Sequence, residues 1–263
     1  MKAIILAAGK GERLRPLTDN IPKCMVELFG KTLLDRQIEL FEKFGISEII
    51  VVTGYKSEKI RNNKVILMQN KLYDSTNMVE TLFCAEEKLN DSVIVSYGDI
   101  IFEKNVIEKL IDSQEDFSVI IDKNWKKYWS MRFENPLDDA ESLILDDDNY
   151  IRNIGQKVLN SDQIQGQYIG LMKFQGKGLD NLKEFYHKMK KDAKTGTNPL
   201  NPGAPFEKSF MTDFIQGLVN EGFKIKAIPI RGSWLELDSL SDYELYNKKY
   251  TDKTLSELIS LES

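Results

Sequence analysis

The sequence has a single histidine, His187, and only two cysteines among its 263 residues. Zinc sites and serine–histidine triads normally need more histidine than this, so we expect no catalytic histidine. Cys24 and Cys84 lie far apart and lack the spacing of a metal or redox motif. We therefore expect two unpaired thiols and a chemistry that needs neither imidazole nor thiolate.

An excess of positive charge and a long hydrophobic run are also absent. Lysine and arginine number 36 against 41 acidic residues, for a net charge of −5. Nucleic-acid-binding proteins usually carry a basic excess, so we expect no nucleic-acid partner. The apolar run over residues 2–8 has no signal-peptide cleavage pattern, and no stretch approaches the length that spans a bilayer. We expect a cytoplasmic protein with no membrane partner.

Short apolar runs alternate with amphipathic segments in the first half of the sequence. The pattern predicts strands over residues 2–8, 47–54, 64–70, 92–99 and 117–122, and helices over 33–45 and 78–89. Such alternation is typical of parallel β–α–β units, whose ligands bind beyond the carboxyl ends of the strands. The segment from Gly9 to Arg13 and Asp99 follow two such ends, so we expect them to face one crevice.

The pattern changes after about residue 125. Strands are predicted over residues 129–135, 141–147, 150–156 and 166–174 without long intervening helices, which indicates antiparallel pairing. A helix over 206–222, a strand over 223–230 and a short amphipathic helix over 251–263 follow. Residues 194–206 are rich in proline and glycine and form either a flexible loop or a lid. We find no linker, so we predict one α/β domain over residues 1–263, a three-layer, Rossmann-like mixed sheet with an antiparallel elaboration.

The strongest local signal is the turn Gly9-Lys10-Gly11-Glu12-Arg13, which follows the first predicted strand. Glycines let backbone amides point into one concavity, and a following helix adds its positive end. Arg13 suits forked contacts with phosphate oxygens, and Lys23 adds a compact charge. A P-loop would need a Gly-Lys-Ser/Thr ending, and a dinucleotide fingerprint would need glycine in place of Leu14. The turn therefore predicts a different kind of polyphosphate site.

A longer pattern makes this interpretation specific. Leu6-Ala7-Ala8-Gly9-x-Gly11-x-Arg13, then Pro16-Leu17-Thr18 and Pro22-Lys23, resembles the signature of nucleotidyltransferases that activate sugar phosphates and related phospho-compounds. The resemblance implies a GT-A-like fold with a nucleotide-binding half over 1–124 and an acceptor-binding half over 125–263. It also implies that Arg13 contacts a nucleoside triphosphate and that Lys23 lies near its α-phosphate. The implied nucleotide-binding residues are Leu6, Ala7, Ala8, Gly9, Gly11, Arg13, Lys23, Asn70, Ser75, Thr76, Asn77 and Gly98.

A triphosphate brings Mg²⁺, which takes carboxylate and phosphate oxygens as ligands. Asp99 ends the strand over 92–99, where this family keeps its metal-binding aspartate; the alternative is a helix-capping or turn residue. Glu236 and Asp238 are two residues apart and would share one face of a strand. We predict Mg²⁺ bound by Asp99, Glu236 and Asp238. Asp242 is expected to be a solvated acid in the first turn of the next helix.

Two segments favour CTP as the nucleotide. Thymidylyl- and uridylyltransferases usually have Trp-x-Asp-x-Gly-Thr where this sequence has Trp234-Leu-Glu-Leu-Asp-Ser, which resembles cytidylyltransferases acting on phosphocholine and phosphonates. Residues 69–85 also resemble phosphocholine-type cytidylyltransferases, with Asn70, Ser75, Thr76 and Asn77 as contacts for base and ribose. Ser75 or Thr76 is in addition the expected N-cap of the helix over 78–89.

The acceptor is less well defined. Residues 124–143 and 166–174 resemble the second half of the same cytidylyltransferases, a subset of which makes a CDP-linked phosphoglutamine for capsule decoration. Arg132 and Lys173 are candidates for binding an anionic group of the acceptor, or are exposed strand positions. Trp125, Tyr128 and Trp129 are candidates for a quaternary-ammonium cage, or are core residues.

The resemblance implies a Mg²⁺-dependent cytidylyltransferase that transfers CMP from CTP to phosphocholine, phosphoglutamine or a phosphonate and releases pyrophosphate. It also implies a role in surface polysaccharide or lipid decoration. Lys23, Arg13 and Asp99 are the predicted catalytic residues, and direct attack by the acceptor phosphate needs no covalent intermediate. The alternatives are a sugar-1-phosphate nucleotidyltransferase using dTTP, UTP or GTP, and a non-catalytic nucleotide-sensing module. The oligomeric state stays open, a homo-oligomer included.

Overall fold

The structure is a computed structural model that describes residues 1–261. Its strands are β1 (Lys2–Ala7), β2 (Glu27–Leu28), β3 (Lys31–Thr32), β4 (Ile49–Thr53), β5 (Ile66–Gln69), β6 (Ser92–Tyr97), β7 (Ile100–Phe102), β8 (Phe117–Asp122), β9 (Glu141–Leu145), β10 (Ile151–Lys157), β11 (Gln167–Gln175), β12 (Lys226–Ile230) and β13 (Trp234–Glu236). Its α-helices are α1 (Leu33–Lys43), α2 (Met78–Phe83), α3 (Lys104–Asp112), α4 (Trp125–Arg132), α5 (Lys177–Ala193), α6 (Met211–Asn220) and α7 (Leu240–Thr251).

A single central sheet has the strand order β12-β8-β11-β6-β1-β4-β5. Strand β1 runs parallel to β4 and β6, whereas β11 runs antiparallel to both β6 and β8. The sheet therefore contains strands from both predicted halves of the sequence. It confirms the predicted mixed α/β class with an antiparallel elaboration.

Alternating side chains of β1 create the two faces of this sheet. Ala3 and Ile5 pack with helices α1 and α3 in one apolar core, and Ile4 and Leu6 pack with α2, α5 and α6 in the other. Because successive side chains of a strand point to opposite faces, a continuous apolar run becomes a strand buried on both sides. The result is the predicted arrangement of three layers.

The segment over 129–135 was predicted to be a strand, and this prediction is wrong. Residues Trp125–Arg132 form helix α4, in which Trp125, Tyr128 and Trp129 are buried and Lys126 and Lys127 are exposed. Buried residues at spacings of three and four follow the period of a helix, not that of a strand.

Other boundaries also differ from the predictions. Helix α2 ends at Phe83 and is followed by a 3₁₀ turn over Glu86–Lys88. The predicted helix over 251–263 is replaced by the end of α7 and a 3₁₀ turn over Leu255–Glu257, and its last two residues lie outside the described part of the chain. No helix within residues 1–261 is long and apolar enough to cross a membrane.

Candidate active site

A cleft of about 520 Å³ opens at the carboxyl ends of β1 and β6. Its walls are the glycine-containing turn after β1, the segment before α2, and the residues that follow β6. The predicted site residues that line this cleft are Leu6, Ala7, Ala8, Gly9, Gly11, Arg13, Lys23, Thr76, Asn77, Gly98, Asp99 and Asp238. The crevice expected between the turn at residues 9–13 and Asp99 is therefore present.

The turn after β1 is shaped by Gly11, whose φ of 63° lies in the left-handed region. The Thr18 hydroxyl, which is fully buried, donates a hydrogen bond of 2.7 Å to the Gly11 carbonyl. A Cβ atom at Gly11 would lie 3.1 Å from Lys23 Cβ and from Thr18 Cγ2. The Pro-Leu-Thr and Pro-Lys parts of the motif therefore support the turn from beneath. Instead of the expected helix, a single 3₁₀ turn over Glu12–Leu14 follows it.

Strands β7 and β13 bring the second set of site residues to the cleft. They pair in antiparallel register, with Ile100 opposite Glu236, and the Leu237 amide donates to the Asp99 carbonyl at 2.9 Å. This pairing places Asp99 beside the segment that carries Asp238, although the two are far apart in sequence. Asp99 also lies next to the end of β1, because the amide of the preceding Gly98 donates to the Leu6 carbonyl at 2.9 Å.

Four of the predicted residues form a charged cluster in the cleft. Lys23 Nζ donates to Asp99 Oδ2 and to Asp238 Oδ1, each at 2.7 Å. Arg13 forms an ion pair with the other oxygen of Asp238. Burial opposes the charge of Lys23, but the carboxylates of Asp99 and Asp238 outweigh that effect and raise the pKa of its ammonium group. Lys23 therefore stays protonated at neutral pH.

The cluster has features of a divalent-cation site. Within residues 1–261, Asp99 Oδ1 is buried and has no hydrogen-bond partner. Two carboxylates, those of Asp99 and Asp238, also converge on a single cation, the ammonium group of Lys23. Mg²⁺ is commonly bound by one or two carboxylates together with phosphate oxygens. The donor set of Asp99 and Asp238 therefore fits Mg²⁺.

The predicted role of Glu236 as a third metal ligand stays a prediction. No group of three histidine, cysteine or acidic side chains suited to a metal occurs in the described part of the chain. The Glu236 carboxylate accepts a hydrogen bond of 2.8 Å from Arg132 Nη1 and does not line the cleft. Burial raises the pKa of Glu236 to about 7, although the Arg132 guanidinium opposes this rise.

The residues predicted to contact the acceptor lie away from the cleft surface. The Arg132 side chain is 1% exposed and binds the carboxylates of Glu236 and Asp242. Lys173 is also buried, and its Nζ atom donates to the carbonyls of Ile111 and Ser113. Neither position is an exposed strand site, because Arg132 ends helix α4 and Lys173 lies inside the central sheet.

The environment of Asp242 differs from the predicted one. It lies in the first turn of α7 as expected, but its side chain is only 4% exposed, so it is not a solvated acid. Its Oδ2 atom accepts hydrogen bonds from the amides of Asp238 and Ser239. Burial opposes its ionisation, but the bonds from Arg132 keep its pKa below the usual value.

The candidate aromatic cage is part of the core. Trp125, Tyr128 and Trp129 are each 4–5% exposed. The guanidinium of Arg132 lies 5.2 Å from the Tyr128 ring centre and 5.6 Å from that of Trp129. A protein cation therefore already occupies the face of these rings that a quaternary ammonium would need.

The wall predicted to hold base and ribose is built around Asn70. Asn70 is 2% exposed, and its side chain donates to the hydroxyls of Thr76 and Thr81, so it supports the wall from behind. The hydroxyls of Ser75 and Thr76 donate to the Leu72 carbonyl. The N-cap of α2 is Asn77, which corrects the expectation of Ser75 or Thr76.

Lys10 and Asp74 form a contact that sequence reasoning missed. Lys10 Nζ lies 2.5 Å from Asp74 Oδ1 and so joins the glycine-containing turn to the opposite wall of the cleft. No sequence signal links the two residues, because neither stands at a spacing that a motif defines. The carbonyl of Asp74 also accepts a hydrogen bond from Lys208, which ties this wall to the segment before α6.

Both cysteines are unpaired, as predicted. Cys24 lines the cleft next to Lys23 but is 2% exposed, and burial raises the pKa of its thiol to about 12. A thiol in this state is a poor nucleophile, since the thiolate is the reactive form. Cys24 is therefore unsuited to act as a nucleophile.

Comparison with known proteins gives consistent matches. The MobA-like NTP transferase domain family matches residues 3–145. A CTP:phosphoglutamine cytidylyltransferase of Campylobacter jejuni subsp. jejuni is 41% identical over 260 residues, which cover 95% of this chain and 100% of that protein. A choline-phosphate cytidylyltransferase of Streptococcus pneumoniae is 38% identical over 123 residues, 45% of this chain and 53% of that protein.

A solved structure of a CTP:phosphocholine cytidylyltransferase from Streptococcus pneumoniae superimposes with a TM-score of 0.74 at 24% identity, covering 95% of this chain and 98% of that one. At this identity the likeness concerns the fold alone, and it confirms the predicted nucleotidyltransferase architecture. The family match spans more than half of the chain, and the Campylobacter relative matches nearly all of it. This chain therefore belongs to the MobA-like NTP transferase family and is a nucleotidyltransferase.

Proposed function

We propose that this protein is a Mg²⁺-dependent cytidylyltransferase that transfers CMP from CTP to a small phosphorylated acceptor and releases pyrophosphate. The observation that carries the proposal is the convergence of Lys23, Asp99 and Asp238 at the base of the cleft, beside the glycine-containing turn. The choice of CTP is supported by the 41% identity, over nearly the whole chain, to a protein named as a CTP-dependent enzyme.

The residues of the cleft have distinct roles in this reaction. The glycine-containing turn offers backbone amides to the triphosphate, and Arg13 adds a forked donor for the leaving pyrophosphate. Lys23 lies deepest and stabilises charge that develops at the α-phosphate. Asp99 and Asp238 would hold Mg²⁺, which neutralises phosphate charge when it is bound.

Direct transfer requires no nucleophile from the protein. An ionised oxygen of the acceptor phosphate attacks the α-phosphorus of CTP, the bond to the β-phosphate oxygen breaks, and pyrophosphate departs. The protein accelerates such a step by alignment and by charge neutralisation. Buried Cys24 and the exposed, Glu86-paired His187 take no part in it.

Phosphoglutamine is the acceptor we favour. The three aromatic residues that could have formed a cage for choline are buried in the core, and the Arg132 guanidinium lies against two of them, Tyr128 and Trp129. This arrangement argues against recognition of a quaternary ammonium by that cluster. An acceptor without this group also agrees with the name of the Campylobacter relative. The CDP-linked product would serve in surface polysaccharide decoration.

The proposal is tested by measuring pyrophosphate release with CTP, UTP, dTTP and GTP, each combined with phosphoglutamine, phosphocholine, 2-aminoethylphosphonate and glucose-1-phosphate. We expect the highest kcat/KM for CTP with phosphoglutamine and a CDP-linked product by mass spectrometry. Turnover of glucose-1-phosphate with dTTP, UTP or GTP would instead establish the sugar-phosphate alternative. Tight CTP binding without turnover on any acceptor would indicate a nucleotide-sensing module.

A further inference from the structure

We propose that Arg132 is a positioning residue, which holds Asp238 in its working orientation through Asp242. The inference rests on the proposed function, because Asp238 is assigned there to the reaction. Arg132 itself does not line the cleft, and its side chain is 1% exposed. Any effect of Arg132 on the reaction must therefore pass through its neighbours.

A continuous series of hydrogen bonds connects Arg132 to Asp238. Arg132 Nε and Nη2 donate to the two oxygens of Asp242, at 2.8 Å and 3.1 Å. The Asp242 Oδ2 atom accepts from the amides of Asp238 at 3.1 Å and of Ser239 at 2.9 Å. The guanidinium thus fixes the carboxylate that in turn fixes the backbone carrying Asp238.

The other end of the same segment is held by Arg132 and two tyrosines. Arg132 Nη1 donates to Glu236 Oε2 at 2.8 Å. The Tyr128 hydroxyl accepts from the Glu236 amide at 2.9 Å, and the Tyr246 hydroxyl donates to the Glu236 carbonyl at 2.8 Å. Residues 236–239 are therefore anchored on both sides of Asp238, whose side chain projects to Lys23.

The orientation of the guanidinium is itself restricted. It lies 5.1–5.6 Å from the ring centres of Tyr128, Trp129 and Phe133. All three guanidinium nitrogens are bonded to carboxylates, and the side chains of Arg132 and Asp242 are almost completely buried. Burying such an ion pair often contributes little net stability compared with apolar residues of similar size. A rigid, forked arrangement of this kind is instead suited to holding another group in place.

The test compares Arg132→Lys, which keeps the charge but loses the fork, with Arg132→Met, which loses both. Lys190→Met is the matched control, because Lys190 also combines an ion pair, to Glu80, with a ring contact, to Tyr186. We expect kcat with CTP and phosphoglutamine to fall about 10- to 100-fold in both Arg132 variants. The KM for CTP should change less than about threefold, because the glycine-containing turn is intact. Lys190→Met should retain its kcat.

A second measurement does not depend on turnover. Mn²⁺ binding in the presence of α,β-methylene-CTP, followed by electron paramagnetic resonance, should weaken by about 10-fold or more in both Arg132 variants and not in Lys190→Met. Asp242→Asn, which keeps an acceptor for the two amides, should give an intermediate loss. If Arg132→Met does not fold, Arg132→Lys and Asp242→Asn decide the question.

Three results would overturn the inference. They are wild-type kcat in a folded Arg132 variant, a rise in the KM for the acceptor with kcat unchanged, and an equal loss of kcat in Lys190→Met. Each of them presupposes an active wild-type enzyme. A wild type that is inactive on every substrate pair would reject the proposed function instead, so the two failures are distinguishable.

Discussion

Lys23 Nζ lies 2.7 Å from Asp99 Oδ2, and the two side chains are 14% and 19% exposed. The same ammonium group lies 2.7 Å from Asp238 Oδ1. It therefore stands between the two carboxylates that we assign to Mg²⁺. Lys23 thus neutralises part of the negative charge of Asp99 and Asp238, which a bound divalent cation would also neutralise.

Replacing Lys23 with methionine should separate its effect on catalysis from its effect on metal binding. We expect kcat to fall by about 10²–10³, because a charge at the α-phosphate is lost. Mn²⁺ binding without nucleotide should become tighter, since no ammonium group competes for Asp99 and Asp238. Both quantities are measured against Lys31→Met, which removes a surface cation paired with Glu39. Weaker or unchanged Mn²⁺ binding in Lys23→Met would contradict the competition.

Asp99→Asn should lower kcat by at least about 10², because a neutral amide at this position is a poor ligand for Mg²⁺. Mn²⁺ affinity in the presence of α,β-methylene-CTP should fall as well. The control is Asp180→Asn, whose side chain is 73% exposed and lies on helix α5. Turnover close to that of the wild type in Asp99→Asn would remove Asp99 from the proposed reaction.

Gly98→Ala tests the close approach of β6 to β1. An added Cβ atom would lie 2.9 Å from the Leu6 carbonyl oxygen and 3.0 Å from Ala7 Cβ. We expect a loss of about 1–3 kcal/mol in the free energy of unfolding, together with weaker CTP binding, because the end of β1 forms the cleft floor. Urea unfolding and calorimetric titration measure the two effects.

The matched control for Gly98→Ala is Gly196→Ala. Among the described residues, no atom outside the immediate neighbours lies within 4 Å of a Cβ at Gly196. Its substitution should therefore change the free energy of unfolding by less than about 1 kcal/mol. Equal stability of the two variants would show that the strands tolerate the added methyl group.

Stability should depend on pH through Glu141. Burial, together with the nearby carboxylates of Asp213 and Asp139, raises the pKa of Glu141 from 4.5 to about 7. The folded state then binds this proton more tightly than the unfolded state. The contribution of protonated Glu141 to the free energy of unfolding is therefore complete below about pH 4.5 and is lost as the pH rises through about 7.

Glu141→Gln removes this dependence. At pH 8 we expect the variant to exceed the wild type by roughly 2–3 kcal/mol in the free energy of unfolding, and the difference to shrink toward pH 4.5. Urea unfolding at a series of pH values measures both. Glu134→Gln, at an exposed position, is the control and should follow the wild type. A pH slope in Glu141→Gln equal to that of the wild type would reject this assignment.

The sequence predicted well which residues surround the turn after β1, because their signals are local. The glycine-containing turn, Pro16-Leu17-Thr18 and Lys23 lie within one short stretch, and the structure brings them together around Gly11. The strand that precedes Asp99 was equally clear, since the apolar run over residues 93–95 lies shortly before an acid. Their assigned roles in catalysis stay predictions until variants are measured.

The contacts of the acceptor-binding half could not be predicted in the same way, because they join segments that are distant in sequence. The pairing of β7 with β13 and the bonds from Arg132 to Asp242 depend on tertiary packing that no local spacing encodes. Helix α4 was mistaken for a strand because its aromatic residues also suit a strand, and only burial on one helical side distinguishes the two. The alternation of side chains along β13 likewise does not reveal that Glu236 pairs with Arg132.

Strand β11 has a mechanical consequence. It is hydrogen bonded to β6 on one side and to β8 on the other, so it joins residues of the acceptor-binding half to the nucleotide-binding half in one sheet. A rotation of one half against the other would break the backbone hydrogen bonds between these strands. We therefore expect any enclosure of substrates to involve surface segments such as the two that the Lys10–Asp74 ion pair joins across the cleft.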